Sequence, residues 1–277
     1  MMEIYYQNNE LKKLYLDRNP YWMTSKTDLF DHEWETDSGS DGKNIIISRR
    51  KLSNKTITVA IRGTSGQDCL VKKNEFIDQI DLDAENESAG KFYMGDWYLN
   101  CWLMATKADG EYVGSNVMTF SVTVLAEKMD WIRETTTIFR SGDNEETGAN
   151  NLDYNYDYPF DYASGMKGQS LISEAVSGSD FRIIIYGPCA NPEILIGGYR
   201  YAVSANLDSG EYLVINSVSK KIYKVKINGE IVNQCHLKDT EYYIFQKIPA
   251  GRNSVSWSGL FGFDITLYEK RSEPRWI

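Results

Sequence analysis

Between Phe181 and Tyr268 the chain is cut roughly every 8–12 residues by turn-forming residues, which limits it to short strands. Phe181–Tyr186, FRIIIY, reads as a buried strand, and Gly187-Pro188 and Asn191-Pro192 bracket a turn after it. Strands are expected at Glu193–Ile196, Tyr199–Ser204, Glu211–Ile215 and Lys221–Ile227. Asn228-Gly229 then predicts a two-residue type I′ hairpin, because both central positions of that turn need a positive φ. A further strand is expected over Glu241–Ile248, turned by Pro249–Asn253 and followed by Ser254–Trp257 and Phe263–Tyr268. No run in this half reaches the length of an independent helix, so the spacing predicts a β-sandwich or jelly roll.

The first half mixes the two periodicities. Val117–Ala126, VMTFSVTVLA, alternates, with Met118, Phe120, Val122, Val124 and Ala126 on the face expected to be buried. Thr56–Ile61 and Ile45–Ile47 read as strands, and Thr36–Asn44 as a loop. Lys91–Thr106 reads as two strands about Gly95-Asp96. Val71–Ala84 breaks the pattern: Phe76, Ile77, Ile80 and Ala84 recur at helical spacing, so one short amphipathic helix is expected. Composition then shifts. Residues 141–152 are polar and acidic, and residues 153–162 alternate Tyr with Asp and Asn before closing on Pro, Phe, Asp and Tyr. This places a boundary within 140–178 and divides the chain into 1–150, a Tyr/Asp-rich linker at 151–178, and a β-domain at 179–277.

Charge and reactive residues exclude several functions. The 277 residues carry a formal net charge of −9, whereas nucleic-acid affinity rests mainly on a basic face. The same field disfavours anionic lipid, and no segment approaches the about 20 apolar residues that span a bilayer. The sequence MMEIYYQNNELKK lacks the features of a signal peptide, so cytoplasmic synthesis is expected. Cys69, Cys101, Cys189 and Cys235 form no CxxC pair, and with only His32 and His236 beside them a zinc site is not expected. The same two histidines are the only bases for a Ser-His or Cys-His nucleophile, and no Gly-x-Ser-x-Gly elbow is present. Asp81–Glu87 spaces its acids like the start of an EF-hand, but Asn86 stands where that loop needs Gly and Phe92 where it needs Glu. It reads as an acidic helix end. Gly39–Gly42 lacks the lysine of a phosphate loop. Asp153, Asp157 and Asp161 among tyrosines could serve a glycosidase, though they fit a solvated linker better. No catalytic, cofactor-binding or metal-ligating residue is expected.

Several segments do carry a likeness. Phe181–Pro188 with Asn191–Ile194, Gly210–Asn216 with Lys220–Tyr223, Ile248–Trp257 and Arg271–Trp276 resemble the C-terminal domain of distal tail (Dit) proteins of Gram-positive phages and prophages. Gly63-Thr64, the helix near Phe76–Ile80, and Lys91–Cys101 are similar to the N-terminal domain of that family. The resemblance implies a non-enzymatic virion component. Its N-terminal β-sandwich with one short helix builds a homo-hexameric ring between the tail tube protein and the tip hub or tail-associated protein. Its C-terminal galectin-like or jelly-roll sandwich projects outward and can hold a receptor-binding protein. No catalytic residue, cofactor, membrane contact or sequence-specific nucleic acid is implied. An acidic chain suits a tube that passes DNA without gripping it, and aromatic richness (13%) suits contact surfaces. A carbohydrate-binding module of a host-recognition apparatus is the alternative reading of the second half.

Overall fold

A computed structural model describes residues 3–38, 45–50, 54–107, 116–142 and 167–275. The architecture is mainly β with one α-helix among the described residues. The chain divides into two compact units: Met1–Arg133 with Lys270–Ile277, and Glu134–Glu269.

The first unit opens with β1 (Ile4–Gln7), β2 (Lys13–Tyr15), β3 (Asp17–Arg18) and β4 (Tyr21–Thr27). β5 (Trp34–Ser38) and β6 (Ile45–Arg50) pair only with each other. β7 (Lys55–Arg62), α1 (Gly66–Glu85), β8 (Gly90–Met94), β9 (Trp97–Lys107) and β10 (Val117–Leu125) follow, and β11 (Trp131–Phe139) begins in this unit and has most of its residues in the second. β4, β7, β10 and β9 are neighbours in that order, while β2, β1, β8 and β9 form a second row. β9 serves both because it is long and bulged: the register with β10 slips between Thr123 and Val124, where Met104 has no opposite residue. A bulge bends its strand and adds twist, which lets one strand leave one sheet layer for the next. Tyr6, Ile57, Val59, Phe76, Phe92, Leu99, Phe120 and Trp131 fill the space between the layers.

The alternation read from residues 117–126 holds. Met118, Phe120, Val122, Val124 and Ala126 are all buried. The helix is longer than expected, starting at Gly66 and not Val71. The Ser65 hydroxyl accepts from the Asp68 N–H at 3.2 Å, and the Asp68 carboxylate accepts from the Thr64 N–H at 2.7 Å and Lys72 Nζ at 2.7 Å. These caps stabilise a first turn whose buried anchor is Cys69, a residue that adds little to an apolar periodicity. Toward the other end Ala84 is exposed and Ile77 only half-buried, while Asp83 is fully buried. Thr36–Ser38, expected as loop, belongs to β5; positions 39–44 lie outside the described residues.

The second unit contains β12 (Lys167–Ser173), β13 (Asp180–Tyr186), β14 (Cys189–Ala190), β15 (Glu193–Ile196), β16 (Tyr199–Ala202) and β17 (Asn206–Leu207). It continues with β18 (Tyr212–Asn216), β19 (Lys221–Val225), β20 (Ile231–Asn233), β21 (Gly251–Trp257) and β22 (Phe263–Arg271). One sheet runs β20-β19-β18-β13-β22-β11 and the other β12-β21-β15-β16. Phe181, Ile183 and Ile185 of β13 and Val255 and Trp257 of β21 belong to one buried cluster, the interdigitated core of a sandwich.

Three local expectations fail here. Glu241–Ile248 is not a strand: Ile244 and Phe245 are both buried while Tyr242 and Tyr243 are both exposed, a pairing that period-two alternation forbids. A turn, with the Gln246 N–H donating to the Tyr243 carbonyl at 2.9 Å, takes its place. β12 forms within the stretch read as linker, drawn in by seven residues of register with β21. The hairpin after β19 has a three-residue loop, Ile227-Asn228-Gly229, in which only Gly229 takes a positive φ, at 82°. That is the pattern of a turn followed by a glycine bulge, not a type I′ turn. A Cβ at Gly229 would meet nothing within 4 Å. Gly229→Ala is therefore expected to cost only the backbone penalty, about 1 kcal/mol, measured by urea denaturation.

Candidate interaction surfaces

The residues that could carry catalysis are not assembled for it. His32 Nδ1 lies 2.9 Å from Glu273 Oε1, and His236 is exposed on a short 3₁₀ turn beside the half-buried Cys235. All four cysteines are unpaired, Cys69 and Cys101 fully buried. Among the described residues no three His, Cys, Asp or Glu side chains are grouped to hold a metal ion, and no helix is long and apolar enough to cross a membrane. Of the EF-hand-like run, Asp81 and Glu85 are exposed and Asp83 is buried against other partners. Asp153, Asp157, Asp161 and the Gly39–Gly42 loop lie outside the described residues.

What the first unit does present is a tyrosine row. Strand pairing sets Tyr15 of β2 opposite Tyr5 of β1, Tyr5 opposite Tyr93 of β8, and Tyr93 opposite Tyr98 of β9. Neighbouring ring centroids are 5.6, 4.6 and 5.5 Å apart, and the middle pair is stacked. Tyr6, next to Tyr5, points into the core, so the row stands on the opposite face of the sheet, where Tyr5, Tyr15 and Tyr93 are half-buried and Tyr98 is buried. Two residues along, the same face carries Lys13, Gln7, Lys91 and Asn100 in one register. Lys13 Nζ sits 4.6 Å from the Tyr5 ring, Lys91 Nζ 4.3 Å from Tyr98, and the Arg18 guanidinium 4.1 Å from Tyr15. At these distances each cation is attracted to the face of its ring through the ring quadrupole. Large, nearly rigid rings with adaptable polar groups beside them are the composition of a protein-contact face.

The second unit offers a cleft and an aromatic patch. The cleft, about 400 Å³, is lined by Ile138, Arg140, Tyr186, Pro188, Leu260 and Asp264 among others. Tyr186 donates its phenol proton to Asp264 at 2.7 Å. Burial first, and this acceptor second, push the Tyr186 phenol up from 10.0 to about 12. The neutral phenol thus stabilises the fold fully below pH 10, and the contribution is lost as pH rises towards 12. Asp264→Asn should lower the Tyr186 midpoint without restoring 10.0, since burial stays; a ¹³C-tyrosine NMR titration checks this. The patch gathers Tyr199, Tyr242, Tyr243 and Phe245 with Lys220, whose Nζ is 5.5 Å from the Tyr243 ring, and Arg200, 6.0 Å from Tyr242.

The segments that carried the family likeness turn out to be turn geometry. The Gly187 N–H donates to the Glu211 carbonyl at 2.9 Å, joining the Phe181–Pro188 segment to Gly210–Asn216. Glu211 in turn accepts from the Asp208 N–H at 2.9 Å and Lys224 Nζ at 3.0 Å. Asn253 closes its turn by donating to the carbonyls of Pro249 and Gly251 at 2.9 and 3.2 Å. The tyrosine row was not found from sequence. Its only signal there is Tyr at 5, 15, 93 and 98, which means nothing until pairing and register align four strands.

No protein-family model matches the chain, and no curated protein matches it in sequence. Solved structures do match in shape. A chain of the phage p2 baseplate in its activated conformation with calcium matches at 12% identity and a TM-score of 0.59, covering 99% of both chains. The same baseplate with strontium gives the same values. The Dit protein of phage SPP1, described as a paradigm of hub adsorption apparatus in phages infecting Gram-positive bacteria, matches at 9% identity and a TM-score of 0.58, covering 98% of this chain and 99% of its own. This chain has the fold of phage baseplate and distal-tail hub proteins from end to end.

Proposed function

We propose that the chain is a structural, non-enzymatic component of a phage-type tail tip, working by contact area and not by turnover. In this reading six copies form a ring that joins the tail tube to the tip hub. In it the first unit, Met1–Arg133 with Lys270–Ile277, builds the ring, and the second, Glu134–Glu269, projects outward to hold adsorption proteins. The observation that carries it is the match in shape along 98–99% of the chain to components of two phage adsorption assemblies. An accessory domain shared with unrelated proteins would match over one unit only. Electron microscopy of native particles, with the chain located by a bound antibody fragment, tests it. Six-fold density at the distal end of the tail is expected. A single copy per particle, or density along the tube, overturns the proposal.

One observation favours a second role for the outer unit. Tyr242 and Tyr243 are exposed beside Lys220 and Arg200, a set of aromatic faces and donors that suits a sugar. If so, the full-length chain binds purified host wall glycan in calorimetry, and Tyr242→Ala with Tyr243→Ala abolishes the heat. Equal heats from both proteins, or none from the wild type, remove this role.

A further inference from the structure

We propose that the aromatic patch of the second unit binds an anionic saccharide, whose phosphate or carboxylate is met by the Lys220 ammonium. The inference rests on the glycan reading above and names the class of glycan.

The two cations of the patch are not equivalent. Arg200 is engaged within the chain: its Nη1 donates to Asp239 at 2.6 Å and its Nη2 to Glu193 at 3.0 Å. Glu241 adds its field at the same guanidinium. Lys220 is exposed, and among the described residues no carboxylate or carbonyl takes its ammonium. What surrounds it is aromatic. Its Nζ is 5.3 Å from the Phe245 ring and 5.5 Å from the Tyr243 ring. Ring faces attract a cation through their quadrupoles but leave its three N–H donors open to an oxygen. The ammonium is thus positioned but not neutralised.

The backbone supplies a second observation. Lys220 ends the loop between β18 and β19 with a φ of 55°, the left-handed region that disfavours a residue with a β-carbon. In the next hairpin that region is taken by Gly229. The loop is shaped by Asn216, whose Oδ1 accepts from the N–H groups of Val218 and Ser219 at 2.9 and 3.1 Å. Glycine would suit position 220 better, so the lysine is kept against the preference of its own backbone. Such a residue points to a use for its side chain.

The ligand class follows from the neighbours. Tyr242 and Tyr243 are exposed, and their turn is fixed by Tyr199, which donates its hydroxyl to the Tyr243 carbonyl at 3.2 Å and meets the Tyr242 ring edge-on at 5.7 Å. Exposed, well-held rings suit the apolar face of a sugar, and a lysine beside them recognises an anion as a point charge. The molecule as a whole carries a net charge of −9 and repels a polyanion. An anionic glycan is therefore admitted at this spot and discouraged elsewhere, which selects one charged repeat and not a continuous track.

Calorimetry of the full-length chain tests this with purified host wall glycan in three forms: intact, stripped of phosphodiesters by hydrofluoric acid, and with its carboxylates amidated by carbodiimide coupling. One of the two treatments is expected to weaken binding about tenfold, and which one does so identifies the anion. Lys220→Gly is expected to weaken binding of the intact glycan by the same factor and to bind intact and treated glycan alike. Its unfolding midpoint should be no lower than that of the wild type, because the left-handed position suits glycine. Lys220→Asn, also tolerant of that position, gives a second neutral variant, and Lys220→Arg, which keeps a cation over the rings, is expected to retain binding. A wild type that binds all three forms equally, or a Lys220→Gly variant as tight as the wild type, overturns the anionic class and leaves the glycan reading standing. A wild type that gives no heat with any form overturns the glycan reading and this inference with it.

Discussion

Replacing Trp257 with alanine is expected to destabilise the second unit by about 4 kcal/mol. Trp257 is fully buried, and its ring lies at the meeting point of both sheets of the sandwich. It packs edge-on against Phe263 at 5.2 Å and Phe139 at 5.7 Å, which stack on each other at 4.7 Å. Its indole N–H donates to the Phe261 carbonyl at 3.0 Å. Truncation removes the transfer energy of the ring, opens a cavity between the sheets, breaks two aromatic contacts and leaves a buried carbonyl without its donor. Trp257→Phe keeps most of the volume and should cost about 2 kcal/mol, separating the hydrogen bond and the smaller ring from the cavity. Hydrogen exchange is the right measurement, because the two units have separate cores and one unfolding midpoint cannot be assumed. Amides of β13 and β21 should lose protection, while those of β7 and β10 keep theirs. Equal losses in both sets would mean that the cores unfold as one.

The readable part of this fold was the part governed by neighbours in sequence. β10 announced its buried face because alternation is a local property, and it held residue for residue. The strands of the second half were placed by their turn residues to within two or three positions, since Gly, Pro and Asn act on φ directly. Failures came where a distant partner decides. Lys167–Ser173 has little strand signal of its own, and its pairing with Gly251–Trp257 lies about 80 residues along the chain. Glu241–Ile248 has strand composition, yet Ile244 and Phe245 are buried side by side next to an exposed pair, Tyr242 and Tyr243. The likeness to distal tail proteins rested on turn motifs, and those motifs are indeed backbone features, such as the Asn253 turn. The candidate surfaces were the least readable. Four tyrosines from three regions form a row only through register, and the acidic run at 81–87 gives no sign of which carboxylate is buried.

That buried carboxylate is Asp83, and Asp83→Ala is expected to cost about 3 kcal/mol. It is fully buried, and it accepts from the Tyr6 phenol and from the Asn9 N–H, the latter at 2.8 Å. Removing the side chain strands one buried donor, the Tyr6 phenol, at about 1–3 kcal/mol, and one part-buried donor, the Asn9 N–H, at less. Tyr6 keeps only a long bond to the Cys101 carbonyl at 3.3 Å. Burial, followed by the bond to Asp83, already raises the Tyr6 phenol above its ordinary range, so ionisation offers no escape. Nor is there room for the pair to shift: a Cβ on Gly90 would lie 2.3 Å from the Tyr6 oxygen and 2.6 Å from an Asp83 oxygen. Asp83→Asn keeps an acceptor but turns a second donor on the site, and should fall between alanine and wild type. Tyr6→Phe, which removes one donor together with its need, should cost less than either. The consequence reaches beyond stability. Asp83 ties α1 to β1 and to the turn that follows it, so this one residue fixes the helix against the N-terminal strands. Asp83→Ala should therefore lower the denaturation midpoint and also speed amide exchange in β1 at temperatures where the chain is still folded. A loss below about 1 kcal/mol would mean that water replaces the carboxylate, and that the anchor is not what holds β1 to the helix.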